Sequence, residues 1–101
     1  MNTISMHEIE QLYQPGIGRH WFDAGTMRFF KCRLASYGYQ ATDGKVYFVS
    51  SEKNNGMGGP YKRRYTVRAL VKPGDIDTVG EFQAYATRSA ADRAAKRLAS
   101  S

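Results

Sequence analysis

The sequence is poor in cysteine, histidine and long apolar runs, and each shortage excludes a class of protein. Of the 101 residues only Cys32 is a cysteine, so an internal disulfide and any cysteine-based zinc site, both of which need paired thiols, are excluded. The two histidines, His7 and His20, lack the spacing of metal ligands. No window approaches the roughly 18 apolar residues of a membrane span. We therefore expect a soluble, cytoplasmic protein with no membrane partner, metal or cofactor.

The length and composition that remain predict one basic domain. A chain of 101 residues, 42% of them hydrophobic, is long enough for one packed core and too short for two, so we expect a single domain over residues 1–101. Lys and Arg number 15 against 9 Asp and Glu, which gives a net charge of +6. Such a domain is attracted to nucleic acid, an anionic membrane or an acidic protein face. The alternative is that the charge serves solubility alone.

Helix signals stand at the two ends of the chain. Ser5 and Glu8 form a capping-box pattern, Ile4 and Ile9 have the spacing of a hydrophobic staple, and Pro15-Gly16 predicts the end of this first helix. Near the other end, Ser89 and Asp92 repeat the capping-box spacing. The alanines that follow recur at helical intervals, which predicts a second helix with a small, close-packing apolar face.

Four segments between the helices have the pattern of strands. They are Met27 to Leu34, Lys45 to Ser51, Tyr61 to Lys72 and Ile76 to Tyr85, with Asp43-Gly44 and Pro73-Gly74-Asp75 as turns and Gly80 as a bulge. The first two are expected to form a hairpin. Trp21 and Phe22 are expected in a loop, where they either cover the edge of the core or bind a ligand. The segment from Asn54 to Pro60 predicts a mobile loop that lacks the P-loop signature. The predicted fold is therefore α+β: a four-stranded antiparallel sheet with an N-terminal and a C-terminal helix packed on one face.

Catalytic chemistry has little support in these residues. A nucleophile needs an orienting base, and Cys32 alternates onto the face assigned to the core, where a structural role competes with a reactive one. Asp75 and Asp77 flank a turn, where Asp commonly bonds the backbone. We therefore expect no enzyme and no catalytic residue.

Binding has better support, because cations recur on alternate positions. The candidate binding residues form a basic sheet face with an interleaved aromatic ring, and the outer side of the last helix adds to it: Lys62, Arg64, Arg68, Lys72, Lys31, Arg33 and Phe29 on the sheet, and Arg93, Lys96 and Arg97 on the helix. Arg88 is expected on the same outer side of the helix. Such a face suits phosphates and stacked bases. A solvated outer sheet face, which normally carries Lys, Arg and Thr, is the structural alternative.

Parts of the sequence resemble two groups of known proteins. The C-terminal third, from Arg64 through Phe82 to Leu98, resembles the strands-then-alanine-helix layout of double-stranded-nucleic-acid-binding αβ domains, although Thr87-Arg88-Ser89 replaces the paired lysines that open the RNA-binding helix. Most of the chain resembles a family of small uncharacterised proteins of phages, plasmids and other mobile elements. The segments that carry this second likeness are Met27-Arg28-Phe29-Phe30, Tyr47-Phe48-Val49-Ser50-Ser51-Glu52, Arg64-Tyr65-Thr66-Val67-Arg68 and Gly80-Glu81-Phe82-Gln83-Ala84-Tyr85-Ala86.

The second resemblance implies a genomic setting and, through it, a partner. Small mobile-element proteins without catalytic residues commonly bind a host machine. The leading hypothesis is a non-catalytic, anti-CRISPR-like inhibitor of a host defence complex, with a host ribonucleoprotein or its nucleic acid as partner, acting as a monomer or homodimer in the host cytoplasm. The alternative is a small DNA- or RNA-binding module that regulates the element itself.

Overall fold

A computed structural model describes residues 2–13, 31–53, 63–71 and 74–100 of the chain. Its elements are β1 (Asn2–Ser5), α1 (Met6–Leu12), β2 (Arg33–Leu34), β3 (Tyr37–Gln40), β4 (Val46–Lys53), β5 (Arg63–Val71), β6 (Asp75–Val79) and α2 (Arg88–Ser100). The strands form one antiparallel sheet in the order β1-β3-β4-β5-β6, with β2 also paired to β4. The α+β class with two terminal helices is confirmed. The expected strand count was wrong, since the described residues contain six strands.

Helix α1 begins where the sequence predicted. Ser5 is its N-cap, and the Ser5 hydroxyl accepts a hydrogen bond from the Glu8 N–H at 3.2 Å. Ile4 and Ile9 belong to one apolar cluster, as the staple requires. The helix ends at Leu12, and the predicted terminator Pro15-Gly16 lies outside the described residues, as do Trp21, Phe22 and the loop from Asn54 to Pro60.

The hairpin at Asp43-Gly44 is present, but its first strand is not the predicted strand from Met27 to Leu34. Gly44 has φ 91°, the left-handed conformation that this turn needs, and the Asp43 carboxylate accepts from the Lys45 N–H at 3.0 Å. The strand before the turn is β3, whose central glycine weakened its strand signal. The predicted strand from Met27 is only β2 within the described part, because Lys31 has φ 48° in a turn. β2 and β3 both pair with the same edge of β4.

Gly38 is required in β3 by a close approach. A Cβ built at this position would lie 2.8 Å from the Tyr47 carbonyl oxygen and 3.1 Å from Ile9 Cδ1. The first distance is shorter than real Cβ atoms tolerate and the second is unusually tight, so the absence of a side chain lets α1 sit against the sheet here.

The fourth predicted strand was too long. β6 ends at Val79, where Gly80, with φ 75°, turns the chain away from the sheet. Tyr85 then returns and exchanges two backbone hydrogen bonds with Tyr65 on β5, at 2.8 and 3.0 Å. Residues 80–84 therefore form a loop that leaves the β5 edge and rejoins it.

The two helices lie on opposite faces of the sheet, so the expectation of one shared face was wrong. One apolar cluster joins Tyr39, Val49 and Val67 to the alanines of α2. The other joins Val46, Phe48 and neighbouring residues to Ile9 of α1. Both faces of β4 are apolar at this end, because four consecutive residues, Val46 to Val49, are apolar and successive side chains alternate faces. We call the two faces the α2 face and the α1 face.

Helix α2 packs through alanine, as predicted, but begins earlier. Ala91, Ala94, Ala95 and Ala99 are its buried residues. The Thr87 hydroxyl accepts from the Ala90 N–H at 3.2 Å, so Thr87 caps the helix rather than Ser89. Neither helix in the described residues is long and apolar enough to cross a bilayer.

Candidate functional site

Arg68, which was predicted to lie on an exposed basic sheet face, is buried and paired with a carboxylate. Arg68 is 1% exposed, and its guanidinium forms an ion pair with Glu52, which is 0% exposed, at 3.3 Å. The even positions of β5 face the α1 side, where Phe48 and Thr78 flank Arg68 and Phe82 lies over it, so alternation alone did not reveal that this face is covered. Burial lowers the pKa of Arg68, and the Glu52 charge opposes that shift.

Glu52 is the centre of a closed polar network. Its carboxylate accepts from the hydroxyls of Ser50 at 2.5 Å and Thr66 at 2.8 Å as well as from Arg68. Arg68 also donates to the hydroxyls of Ser50 at 3.0 Å and of Thr78. Every buried side-chain nitrogen and oxygen among the described residues has a partner. The network is fully hydrogen-bonded within the described residues, so it leaves no unsatisfied polar group for a ligand.

The loop of residues 80–84 closes over this network. Gln83 adopts φ 58°, its N–H donates to Thr66 Oγ1 at 2.8 Å, and its side-chain amide donates to the Glu52 carbonyl at 3.0 Å. The Phe82 ring centroid lies 5.5 Å from the Arg68 guanidinium carbon. These contacts offset the cost of a left-handed conformation at a residue with a side chain.

Arg64 holds the same loop from outside. It is exposed, but its Nε donates to the Gln83 carbonyl at 2.8 Å and its Nη2 donates to the Ala84 carbonyl at 3.2 Å. Arg64 and Arg68, which the sequence placed among the first candidates for binding, therefore make intramolecular contacts. Of the other predicted sheet residues, Lys31 and Arg33 are exposed, while Lys62, Lys72 and Phe29 lie outside the described residues.

Arginines without an ion pair among the described residues gather instead on the α2 face, around a pocket of about 170 Å³. Three arginines line it, Arg33, Arg63 and Arg88, together with Ser51 and Tyr65, and no carboxylate does so among the described residues. Arg63 Nη1 donates to the Ser51 hydroxyl at 2.8 Å and to the Ser51 carbonyl at 3.1 Å, which fixes the direction of its guanidinium. We call this the arginine pocket.

Strand register explains why these groups converge. Arg33 lies directly opposite Ser51, and Ser51 lies directly opposite Tyr65 on the next strand, so the three side chains form one row across the α2 face. Tyr65 bridges in turn to Tyr85, three residues before Arg88. Arg88 is the first residue of α2, where the helix dipole is positive. Four segments distant in sequence thus bring three cations to one place.

Of the three arginines in this pocket, sequence patterns listed Arg33 as a candidate binding residue, placed Arg88 among the cations on the outer side of the last helix, and missed Arg63. One signal for Arg63 was present, since it interrupts the apolar alternation of β5 on the face that α2 covers. The helical pattern did not predict that Arg88 lies beside the other two arginines, because that position depends on the fold around Tyr85.

The outer side of α2 carries the predicted cations. Arg93, Lys96 and Arg97 are exposed. Lys96 Nζ is 4.0 Å from the Asp92 carboxylate, one turn away as expected, and lies over the Tyr39 ring at 5.5 Å. Asp92 also accepts from the Tyr39 hydroxyl at 2.7 Å. Arg93 and Arg97 remain as cations without an ion pair in the described residues.

The Cys32 thiol lacks the lowered pKa of a nucleophilic cysteine. Burial raises the pKa of its thiol to about 12, and the Glu52 charge adds to that rise. The reactive thiolate is therefore a negligible fraction at neutral pH. Within the described ranges, no group of three His, Cys, Asp or Glu residues is arranged to hold a metal ion.

Comparison with known proteins places the chain in a family. Neither the curated proteins nor the solved structures contain a match to it. One family model matches residues 5–96, a span that includes every residue of the arginine pocket and most of both helices. Because this match covers most of the chain, the protein belongs to DUF7447, a family of unknown function.

Proposed function

We propose that this protein is a non-catalytic binding protein that recognises nucleic acid through the α2 side of its sheet. The observation that carries the proposal is the arginine pocket, in which Arg33, Arg63 and Arg88 meet without a carboxylate among the described lining residues. A guanidinium presents a planar fork of donors that matches a phosphate group, and it stays charged at any physiological pH. Such groups hold an anion but do not transfer protons, which favours recognition over catalysis.

The outer side of α2 extends this surface. Arg93 and Arg97 lie one turn apart on this side of the helix, about 6 Å along its axis at 1.5 Å per residue, and Lys96 is exposed beside them. Arg88 is about 2.5 turns from Arg97 at 3.6 residues per turn, so it lies on the opposite side of the helix. Each strand of duplex DNA carries one phosphate per roughly 3.4 Å of axis, so a stretch of about 6 Å can contact more than one phosphate. The α2-side surface therefore has two separate groups of cations, the arginine pocket and the outer side of α2.

Two partners fit this surface, and the sequence predicted both. In one, the protein binds free DNA or RNA as a regulator of a mobile element. In the other, the anti-CRISPR-like role, it binds a host defence ribonucleoprotein. We favour direct nucleic-acid contact as the function that the pocket supports, and inhibition of a defence complex stays a prediction from the resemblance to mobile-element proteins.

The test is binding of fluorescent single-stranded and duplex oligonucleotides, measured by anisotropy at several salt concentrations. With three to five phosphate contacts, we expect the affinity for duplex DNA to fall with a log–log salt slope of about −3 to −4.5, and for single strands about −2 to −3.5. Arg93→Gln with Arg97→Gln should make the slope on duplex DNA shallower by about 0.9 for each phosphate that the two side chains neutralise.

A matched control is Lys45→Gln. It removes one charge from the turn at the other end of β4, about 20 Å from Ser51 at 3.3 Å per residue. Lys45 pairs there with Asp43 at 3.9 Å. This variant should leave the salt slope unchanged. Absence of binding to either oligonucleotide at low salt would refute the proposal.

A further inference from the structure

A second pocket adjoins the arginine pocket on the same face. Its volume is about 180 Å³, and it shares Ala35, Val49 and Arg88 with the first. The rest of its lining is different in character, with one aromatic ring and three polar side chains: Tyr37, Ser36, Ser89 and Asp92. Each pocket alone is smaller than the roughly 300 Å³ at which small-molecule sites begin, so a ligand of ordinary size would span both.

The first pocket has the chemistry of a phosphate site. Arg63 is already directed by Ser51, so its side chain gives up little further freedom on binding. Arg33 and Arg88 are exposed, and their guanidinium groups have no hydrogen-bond or ion-pair partner in the described part of the chain. Two free guanidinium groups and one fixed group around one cavity can surround a single phosphate.

The second pocket has the chemistry of a base site. Tyr37 is 47% exposed, yet its ring is held edge-on by Tyr39 at 5.6 Å between centroids and 88° between planes. Tyr39 is held in turn by its hydrogen bond to Asp92. An exposed aromatic ring in a fixed orientation is a stacking platform for a base. Ser36, Ser89 and Asp92 supply donors and acceptors beside it.

We propose that the two pockets together bind one nucleotide, with its phosphate among Arg33, Arg63 and Arg88 and its base against Tyr37. This deepens the proposed function and rests on it, since it assigns the nucleotide unit of a nucleic acid that the α2-side surface would hold in place. A stacked base must be unpaired, so the site selects single strands or strand ends over an intact duplex.

The test is an NMR titration of the ¹⁵N-labelled protein with 5′-AMP, adenosine and inorganic phosphate as separate probes. We expect 5′-AMP to bind more tightly than adenosine or phosphate, with the largest shifts at Arg33, Tyr37 and Arg88. Arg33→Gln and Arg88→Gln should weaken both 5′-AMP and phosphate. Tyr37→Leu should weaken 5′-AMP at least about fivefold, the lower end of what a stacked base contributes, and leave phosphate unchanged.

A control variant and three outcomes decide whether the two pockets bind a nucleotide. Lys45→Gln should change none of the three affinities. If 5′-AMP binds no more tightly than phosphate, or if Tyr37→Leu weakens both probes equally, the base site is overturned. If phosphate binding survives Arg33→Gln with Arg88→Gln, the phosphate site is overturned.

The two proposals fail in different ways. If oligonucleotides bind and Arg93→Gln with Arg97→Gln weakens them, but 5′-AMP produces no shifts in the pockets, the nucleotide site is wrong and the nucleic-acid proposal stands. If 5′-AMP binds in the pockets but no oligonucleotide binds at low salt, the nucleic-acid proposal is wrong and the site belongs to a free nucleotide.

Discussion

Arg68 shows how a charged residue in an alternating strand is buried by its neighbours. The register of β5 places it opposite Phe48 on one side and Thr78 on the other, in the interior of the sheet. Taking such a charge out of water costs several kcal/mol unless a partner and hydrogen bonds replace the hydration. Glu52, Ser50 and Thr78 supply these contacts. The basic residue that looked like a ligand contact is thus a structural one.

Removing the Arg68 side chain should therefore test stability rather than binding. Arg68→Ala leaves Glu52 buried without its cation, and we expect the free energy of unfolding, measured by urea denaturation, to fall by about 3–5 kcal/mol. The control Arg97→Ala, on the exposed side of α2, should change it by no more than about 0.5 kcal/mol. Equal effects of the two variants would show that the ion pair contributes nothing.

Helix α2 connects local sequence to the site because its first turn supplies Arg88. Its buried alanines, 0 to 3% exposed, allow the helix backbone to lie close to the sheet. The cap at Thr87 sets where the first turn begins and so where Arg88 stands. A cap at Ser89 would leave Arg88 outside the helix. The position of one hydroxyl therefore helps to shape the arginine pocket.

The cap can be tested by substitution at both candidate positions. Thr87→Ala should lower the free energy of unfolding by about 1 kcal/mol, because the Ala90 N–H no longer has its acceptor. Thr87→Ser keeps the hydroxyl and should retain most of that stability. Thermal unfolding followed by far-ultraviolet circular dichroism measures both. A larger destabilisation by Ser89→Ala than by Thr87→Ala would contradict the observed cap.

Across the described residues, the molecule consists of one sheet with an apolar cluster on each side. Ile9 is central to the α1 cluster and Val67 to the α2 cluster, and both clusters rest on the same strands β4 and β5. Weaker packing on one side therefore weakens the layer that supports the other. This arrangement also leaves the α2 face to form the arginine pocket while the α1 face holds the buried ion pair.

One cooperative transition should follow from this shared sheet. Ile9→Ala and Val67→Ala each remove buried methyl groups and should cost about 2 kcal/mol or more. We expect both variants to lower one common urea midpoint, with circular dichroism and tyrosine fluorescence coinciding. If Ile9→Ala left the midpoint of the helical signal unchanged, the two sides would unfold independently.

Local patterns were sufficient for the elements whose signals lie within a few residues. The Ser5 cap, the Asp43-Gly44 turn, the β5 alternation and the alanine face of α2 were all predicted, because each depends on neighbours along the chain. β1 and β3 were missed, since four-residue strands have weak signals and Gly38 is unfavourable in a strand except where another element approaches.

The candidate site could be predicted only in part, because local patterns do not show which distant residues come together. Composition gave the basic charge, and local patterns predicted the α+β class and the cations of α2, because these depend on residues close together in the sequence. Which arginines are free was decided by strand register and layer order. Arg64 bonds Gln83, 19 positions away, and Arg68 bonds Glu52, 16 positions away, while Arg33, Arg63 and Arg88 were brought together across β2, β4, β5 and α2. Such pairings depend on long-range packing, which no local pattern encodes.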